Sequence, residues 1–265
     1  MKLPKNFSSI IQAGLALATL MFFVFWLGIT PQEWMGKLQA IGYSVCHQIP
    51  SHTFKMGSIP FPLCSRCMGM YLGVFIGVGV LLSKGKKSGL PSSKILAIFG
   101  LLISAWLVDG TNSFFNGILG KVLLYTPNNT LRLITGFGMG LCIATTIYIL
   151  FNLTVWQKCS KISPIDIKTL LLMGAGAVLI IFLIFINNEI LMNLFAYIST
   201  VTVVALLTAL YTIVWIIFLH KENSFREFKE LMLMINVGLF CALLQIIILD
   251  AFRLVLTGTW ASLAL

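Results

Sequence analysis

The chain predicts an all-α integral membrane protein with a bundle of about seven transmembrane helices. Three observations carry this. Of its 265 residues, 58% are hydrophobic and 10% charged, and mean hydropathy is +0.98. A soluble domain of this length carries about 25% charged residues. Seven stretches are long enough to cross a hydrocarbon core, which takes about 20 residues. Finally, the 18 Lys and Arg residues fall unevenly between alternate connecting segments.

The seven stretches lie near 8–29, 66–83, 94–115, 131–151, 168–187, 191–219 and 231–256. In the first, Lys2 and Lys5 precede an apolar run as in a secretory leader. The run ends in Trp26-Leu-Gly-Ile-Thr-Pro31 with no small-x-small site after it, so it reads as an uncleaved span. The outer connector, 30–65, comes next. Its Trp34, Leu38, Ile41 and Val45 share one helical face, which predicts a helix lying in the outer interface and delivering Cys46 to the membrane edge. From Pro50 to Pro62 three prolines predict an ordered loop at best. Gly69, Gly73 and Gly77 form a small-xxx-small ladder along the second span, read as close helix packing and as a candidate homo-oligomer face. Gly136, Gly138 and Gly140 in the fourth span read as packing too. Lys84 to Ser93 is a plain inner connector, Cys142 and Cys241 are core thiols, and Cys159 is a free thiol in an inner loop. Residues 1–265 thus read as a single transmembrane domain.

Placing the N-terminus in the cytoplasm puts twelve of the 18 basic residues in inner segments. The remaining six, Lys37, Lys55, Arg66, Lys121, Arg132 and Arg253, are outside. This positive-inside bias predicts an N-in, C-out protein of the cell (cytoplasmic) membrane. The net charge of +10 is then a topology signal. Scattered basic residues exclude a nucleic-acid role, and the expected partner is the bilayer, with anionic lipid on the inner leaflet. Trp26, Trp34 and Trp260 mark the outer boundary, Trp156 and Trp215 the inner one, and Trp106 lies deeper.

This topology gathers the unusual polar residues at the outer end. Cys64 and Cys67 open the second span, Asp109 and Asn112 close the third, and Asn128, Asn129 and Arg132 open the fourth. Glu189 precedes the sixth, and Asp250 and Arg253, three apart, read as a helix-end pair closing the seventh. Lys94 to Val108 spans about 22 Å of helix, so Asp109 stays inside the outer third of a ~30 Å core. A lone acid at mid-membrane costs about 2.5–3.5 kcal/mol and needs a partner, a cavity or a proton. Asp109, Asn112 and Asn116 share a face, and Arg132 enters the next helix from the same side as the expected partner. The result is either a polar pocket or an ion pair locking two spans.

The chemistry-bearing cluster is Cys46-His47 with Cys64-Ser-Arg-Cys67. Three readings stand. Cys-x-x-Cys with Cys46 and His47 can form a tetrahedral metal site, zinc being the suited ion. Adjacent residues diverge on a helix or strand, so both ligate one ion only if the chain turns at Val45–Gln48; His52 is an alternative ligand. Residues 46–67 have little apolar area of their own, so a metal would hold them. The outer side also favours a disulfide, and Cys-x-x-Cys at a helix end is a thiol-redox arrangement, although a second relaying pair is missing.

Cys46-His-Gln-Ile-Pro50, Phe54, Pro62-Leu-Cys-Ser-Arg-Cys-Met-Gly69 and Tyr71-x-Gly73 resemble an uncharacterised family of prokaryotic multi-pass membrane proteins, domain of unknown function family 2085. The resemblance continues in Asp109-Gly-Thr-Asn112 and Asn129-Thr-Leu-Arg-Leu-Ile-Thr-Gly136, covering roughly 40–140. The family pattern has Arg-Ser-Phe where this chain has His52-Thr53-Phe54, and often Gln at Asn112. The resemblance implies that Cys46, His47, Cys64, Cys67, Asp109 and Arg132 belong together; it supplies no activity.

The expected protein is therefore a metal-dependent membrane-embedded enzyme acting on an amphiphilic or lipid-linked substrate. Cys46, His47, Cys64 and Cys67 hold the metal, Asp109 moves a proton, Asn112 lines the pocket and Arg132 steadies negative charge. The alternatives are a transporter component or complex subunit with a structural metal or disulfide, and a thiol-disulfide oxidoreductase.

Overall fold

The computed structural model describes residues 5–120 and 122–260; Lys2 and Lys121 of the charge count lie outside the described residues. Seven helices are long and apolar enough to cross a membrane: α1 (Lys5–Ile29), α3 (Ser65–Leu82), α4 (Ser93–Leu119), α5 (Asn129–Val155), α6 (Ile167–Ile186), α7 (Glu189–Phe218) and α8 (Phe228–Thr257). The eighth, α2 (Trp34–Val45), is the short helix expected before Cys46.

Each span starts and stops for local reasons. Asn128, Asp166 and Asn188 cap α5, α6 and α7 by accepting first-turn N–H groups. Gly120 and Gly258 close α4 and α8 in the left-handed conformation.

The bundle is built around α3 and α5, whose spans are each 56% buried, against 11–39% for the others. Glycines let the two backbones meet. Gly69 abuts the Leu133 carbonyl, and Gly136 the Arg66 carbonyl. A Cβ on Gly73 would lie 2.7 Å from the Phe137 carbonyl oxygen, and one on Gly140 2.9 Å from Gly73 Cα. Without a hydrophobic force between helices in lipid, such close packing is what holds two spans together. The Gly69/Gly73/Gly77 face is therefore covered by α5 within the same chain, Gly77 meeting Ala144. This corrects the expectation that it forms an oligomer face.

Around this pair α4 lies on α5, and α1 lies on α8 through Phe22 and Phe240, centroids 5.2 Å apart. α7 and α8 are joined by Tyr211, whose hydroxyl donates to Gln245 at 2.7 Å.

α2 is docked against the bundle. Its Met35, Leu38, Ala40, Gly42 and Tyr43 are buried, and it packs on α7 and α8, with Trp34 stacked on Tyr197. The loop beyond it is also more ordered than three prolines suggest. It forms a short 3-10 turn, Pro50–His52, and a hairpin of β1 (Lys55–Met56) and β2 (Ile59–Pro60) turning at Gly57, φ 59°. Phe61 and Leu63 are 1% and 0% exposed, so this segment does contribute apolar anchors.

The opposite end is zipped together by backbone. Ser88 N donates to Ser160 O at 2.9 Å, Gly89 N to Ile162 O at 3.1 Å, and Gln157 N to Phe225 O at 2.8 Å. The 84–93 segment is thus docked against 159–162, and Cys159 lies against the Lys86 carbonyl.

Candidate metal centre and its polar neighbours

Cys46 is the residue at which α2 stops. It is extended (φ −139°, ψ 143°), and two residues on Gln48 adopts φ 53°. That left-handed residue turns the chain directly after Cys46-His47, within the stretch where a turn was expected. Gln48 is held there by its own amide, which donates to Gln39 O at 2.8 Å and Pro62 O at 2.7 Å. Cys64 caps α3, and Cys67 follows one turn later.

The Cys46, His47 and Cys64 ligand atoms all lie within 4.8 Å of one another. The Cys67 thiol interacts with both Cys46 and Cys64. Three of the four residues expected to ligate, Cys46, His47 and Cys64, thus form one close group; Cys67 lies beside Cys46 and Cys64 but outside that group, and His52 is also outside it, its ring edge-on to His47 at 5.4 Å. A tetrahedral zinc with sulfur ligands at about 2.3 Å spaces them about 3.8 Å apart, so the donor set fits with small adjustments. Backbone N–H groups of Cys64 and Gln48 point at Cys46 Sγ, at 3.3 and 3.5 Å, an arrangement that stabilises a thiolate.

Hydrogen bonding from Cys46, and then Cys67, holds the Cys64 thiol well below its usual range. Its bond to Cys64 pushes Cys46 up to about 12. His47 Nδ1 accepts from Ile49 N at 2.9 Å, leaving Nε2 as the nitrogen turned to other partners. Burial, and then Arg132, pushes His52 down to about 4, so its ring is neutral.

Two elements outside the sequence motif hold the cluster in place. The Arg253 guanidinium donates to the carbonyls of Tyr43 (2.7 Å), Cys46 (2.6 Å) and His47 (3.1 Å), and lies 3.7 Å over the Tyr43 ring. It does not pair with Asp250, as spacing suggested. Asp250 is fully buried and accepts from Trp26 Nε1 at 3.0 Å. Trp26 is therefore an interior donor and not an interfacial anchor. The second element is Gly42, where a Cβ would run into the Pro62 carbonyl and come 2.8 Å from Gln48 Nε2. Gly42→Ala is expected to cost about 1–3 kcal/mol by overpacking and to displace Pro62 from Cys64. Thermal unfolding together with metal content of the purified variant checks this; wild-type values for both would refute it.

Asp109 has a different partner from the expected one. Arg66, between the two cysteines of Cys64-x-x-Cys67, forms the ion pair with it. Its Nε donates to Oδ2 at 3.1 Å, and its second nitrogen to Asp109 O at 3.2 Å and Ser113 Oγ at 3.1 Å. Tyr125 donates to Oδ1 at 2.8 Å. Burial, and then the Asp109 bond, pushes the Tyr125 phenol up to about 12. Asn112 holds the Tyr125 segment, donating to Tyr125 O (2.8 Å) and accepting from Leu124 N (3.1 Å). Arg132 is freed by this arrangement. It is 5% exposed, donates to Asn129 Oδ1 at 2.8 Å, and its Nε has no partner among the described residues. Asn129 in turn donates to Ser51 O at 3.2 Å, beside His52. Glu189 is exposed at the start of α7.

Sequence reasoning counted Arg66 only as an outer charge. The signal was present, because an arginine in the first turn of an apolar span needs a partner as much as Asp109 does. Tyr125, Ser113 and Gln48 carried no comparable signal.

A bundle of seven apolar spans with a Cys/His cluster at one end defines a multi-pass α-helical membrane protein with a possible metal site. The family model described as "Predicted membrane protein (DUF2085)" matches residues 46–147. An uncharacterised protein of Methanocaldococcus jannaschii is 30% identical over 123 residues, 46% of this chain and 72% of the relative. Another, from Methanothermobacter thermautotrophicus, is 34% identical over 106 residues, 39% of this chain and 86% of the relative. The chain belongs to the DUF2085 family. No solved structure matches it. The matched region starts at Cys46 and runs through α3, α4 and most of α5, so it contains the cluster, the Arg66–Asp109 pair and Arg132.

Proposed function

We propose that Cys46, His47, Cys64 and Cys67 hold one zinc ion, and that the centre, with Arg132, serves a membrane-embedded enzyme acting on the anionic group of an amphiphilic or lipid-linked substrate. In the orientation set by the basic residues, the site faces away from the cytoplasm at the cell membrane. The observation that carries this reading is the juxtaposition of a convergent thiol and imidazole set with a buried guanidinium that lacks a carboxylate partner.

Zinc held by all four residues would be coordinatively closed; Lewis acidity toward the substrate would need one of the four positions left open. Arg132 would bind and steady negative charge on the substrate. Asp109 and Asn112 would act as positioning residues: the carboxylate fixes Arg66 and Tyr125, and the amide fixes the segment bearing Tyr125. Arg253 would hold the Cys46-His47 backbone from below.

A second reading is favoured by one specific observation. Asp109 is fully engaged, and Cys46 and Cys64 are 7% and 2% exposed. In that reading the metal is structural, pinning the 46–64 loop to the bundle of a transporter component or complex subunit.

Elemental analysis with free-thiol counting tests the metal. About one zinc per chain with reduced cysteines is expected; no metal and one disulfide would overturn it and point to thiol redox chemistry. Complementation of a deletion strain separates the two metal readings. Arg132→Gln is expected to keep its zinc and cellular level yet lose complementation. If Arg132→Gln complements while Cys64→Ser does not, the structural reading stands.

A further inference from the structure

The end of the bundle opposite the metal centre carries a lateral cleft of about 500 Å³ between α3, α5 and α7. Its walls are mostly apolar, with small Gly79, Ala205 and Ala209 beside larger Val78 and Phe151 among the lining residues. Gly79 faces open space, with nothing within 4 Å of where its Cβ would be. From Val74 to Leu82, both on its wall, is about 12 Å of helix. That depth is within one leaflet of a ~30 Å hydrocarbon core.

One end of the cleft is charged. Lys86 is at its rim, with Nζ 3.6 Å above the Trp156 ring and donating to Arg226 O at 2.7 Å. These contacts fix the ammonium at the mouth and leave it N–H groups to give. Lys84, Lys87 and Lys229 are adjacent in the chain to rim residues and Arg226 is two residues before Phe228, against Glu227 and Glu230. Trp156, with its Nε1 bonded to Asn152 at 2.8 Å, marks the headgroup level as membrane tryptophans do.

An apolar slot lying within one leaflet, closed at its headgroup end by a tethered cation, has the form of one lipid. We infer that the cleft is a specific binding site for an anionic phospholipid of the surrounding bilayer, with one chain along α3 and α7 and the headgroup phosphate on Lys86. The site does not depend on the reading of the metal centre.

The test uses the full chain in nanodiscs containing phospholipids with a photoactivatable group in one chain. Phosphatidylglycerol and phosphatidylcholine probes with identical chains are compared. Labelling of 74–82 and 202–209 is expected to be about fivefold stronger with the anionic probe, the effect of one basic residue near the surface. Gly79→Leu and Ala209→Leu should each abolish it by filling the slot. Lys86→Gln should bring the anionic probe down to the zwitterionic one. Equal labelling by the two probes on the unaltered chain would reduce the cleft to ordinary bilayer contact and overturn the site. So would labelling that survives both filling substitutions.

Discussion

Cys64→Ser is expected to lower the zinc content of the purified protein at least tenfold, about the lower end of the range seen even for loss of groups that only support ligands. Cys64 is central to the set. Its sulfur interacts with Cys46, Cys67 and His47, and its own N–H donates to Cys46 Sγ. Without it the remaining donors lose both a ligand and a shared thiolate. Structural zinc in small domains is worth about 10–16 kcal/mol. Here Phe61, Leu63 and the Arg253 clamp keep part of the segment docked. The effect should therefore concentrate in residues 46–60 and leave the bundle standing. Hydrogen exchange of that segment, beside elemental analysis, reads both. Wild-type zinc in Cys64→Ser would remove the basis of the metal centre.

The second large effect concerns the Arg66–Asp109 pair. Asp109→Leu leaves the partly buried Arg66 guanidinium without its carboxylate, which costs up to about 3–5 kcal/mol, the range for a fully buried pair. The double variant Arg66→Met/Asp109→Leu should recover most of that loss, because it removes both desolvated charges. Arg132→Met/Asp109→Leu should not. Thermal unfolding in one detergent or nanodisc composition gives the comparison. Rescue by Arg132→Met alone would instead restore Arg132 as the partner that spacing suggested.

Spans, class and the convergence of polar residues at one end were legible because lipid enforces them residue by residue. Every spanning segment must be long, apolar and helical, and the seven stretches correspond to seven helices. The metal candidates were legible because Cys and His are rare in such a chain and their spacing is local. Pairing between spans was not. Arg66 and Arg132 both enter helices beside Asp109, and nothing in their sequence positions says which guanidinium is nearer. The glycine contacts of α3 with α5 decide it, by setting the height and rotation of Arg66 against α4. The same holds for Asp250 and Arg253, where three-residue spacing suggested a pair. Helix α8 instead gives Asp250 to Trp26 and Arg253 to the carbonyls of residues 43–47.

By itself, then, the sequence determined that this is a multi-pass helical membrane protein with a Cys/His cluster and buried ionisable groups at one end, since those follow from composition, length and local spacing. Tertiary structure alone decided three things. The chain turns at Gln48, and the ligand atoms of neighbouring Cys46 and His47 lie close to each other and to Cys64. The glycine ladder is spent inside the chain. Asp109 is matched to Arg66, leaving Arg132 without a carboxylate partner among the described residues. Each depends on how segments far apart in sequence meet, and a periodic mark on one segment, such as the glycine ladder, shows that a close contact is made without saying which partner makes it.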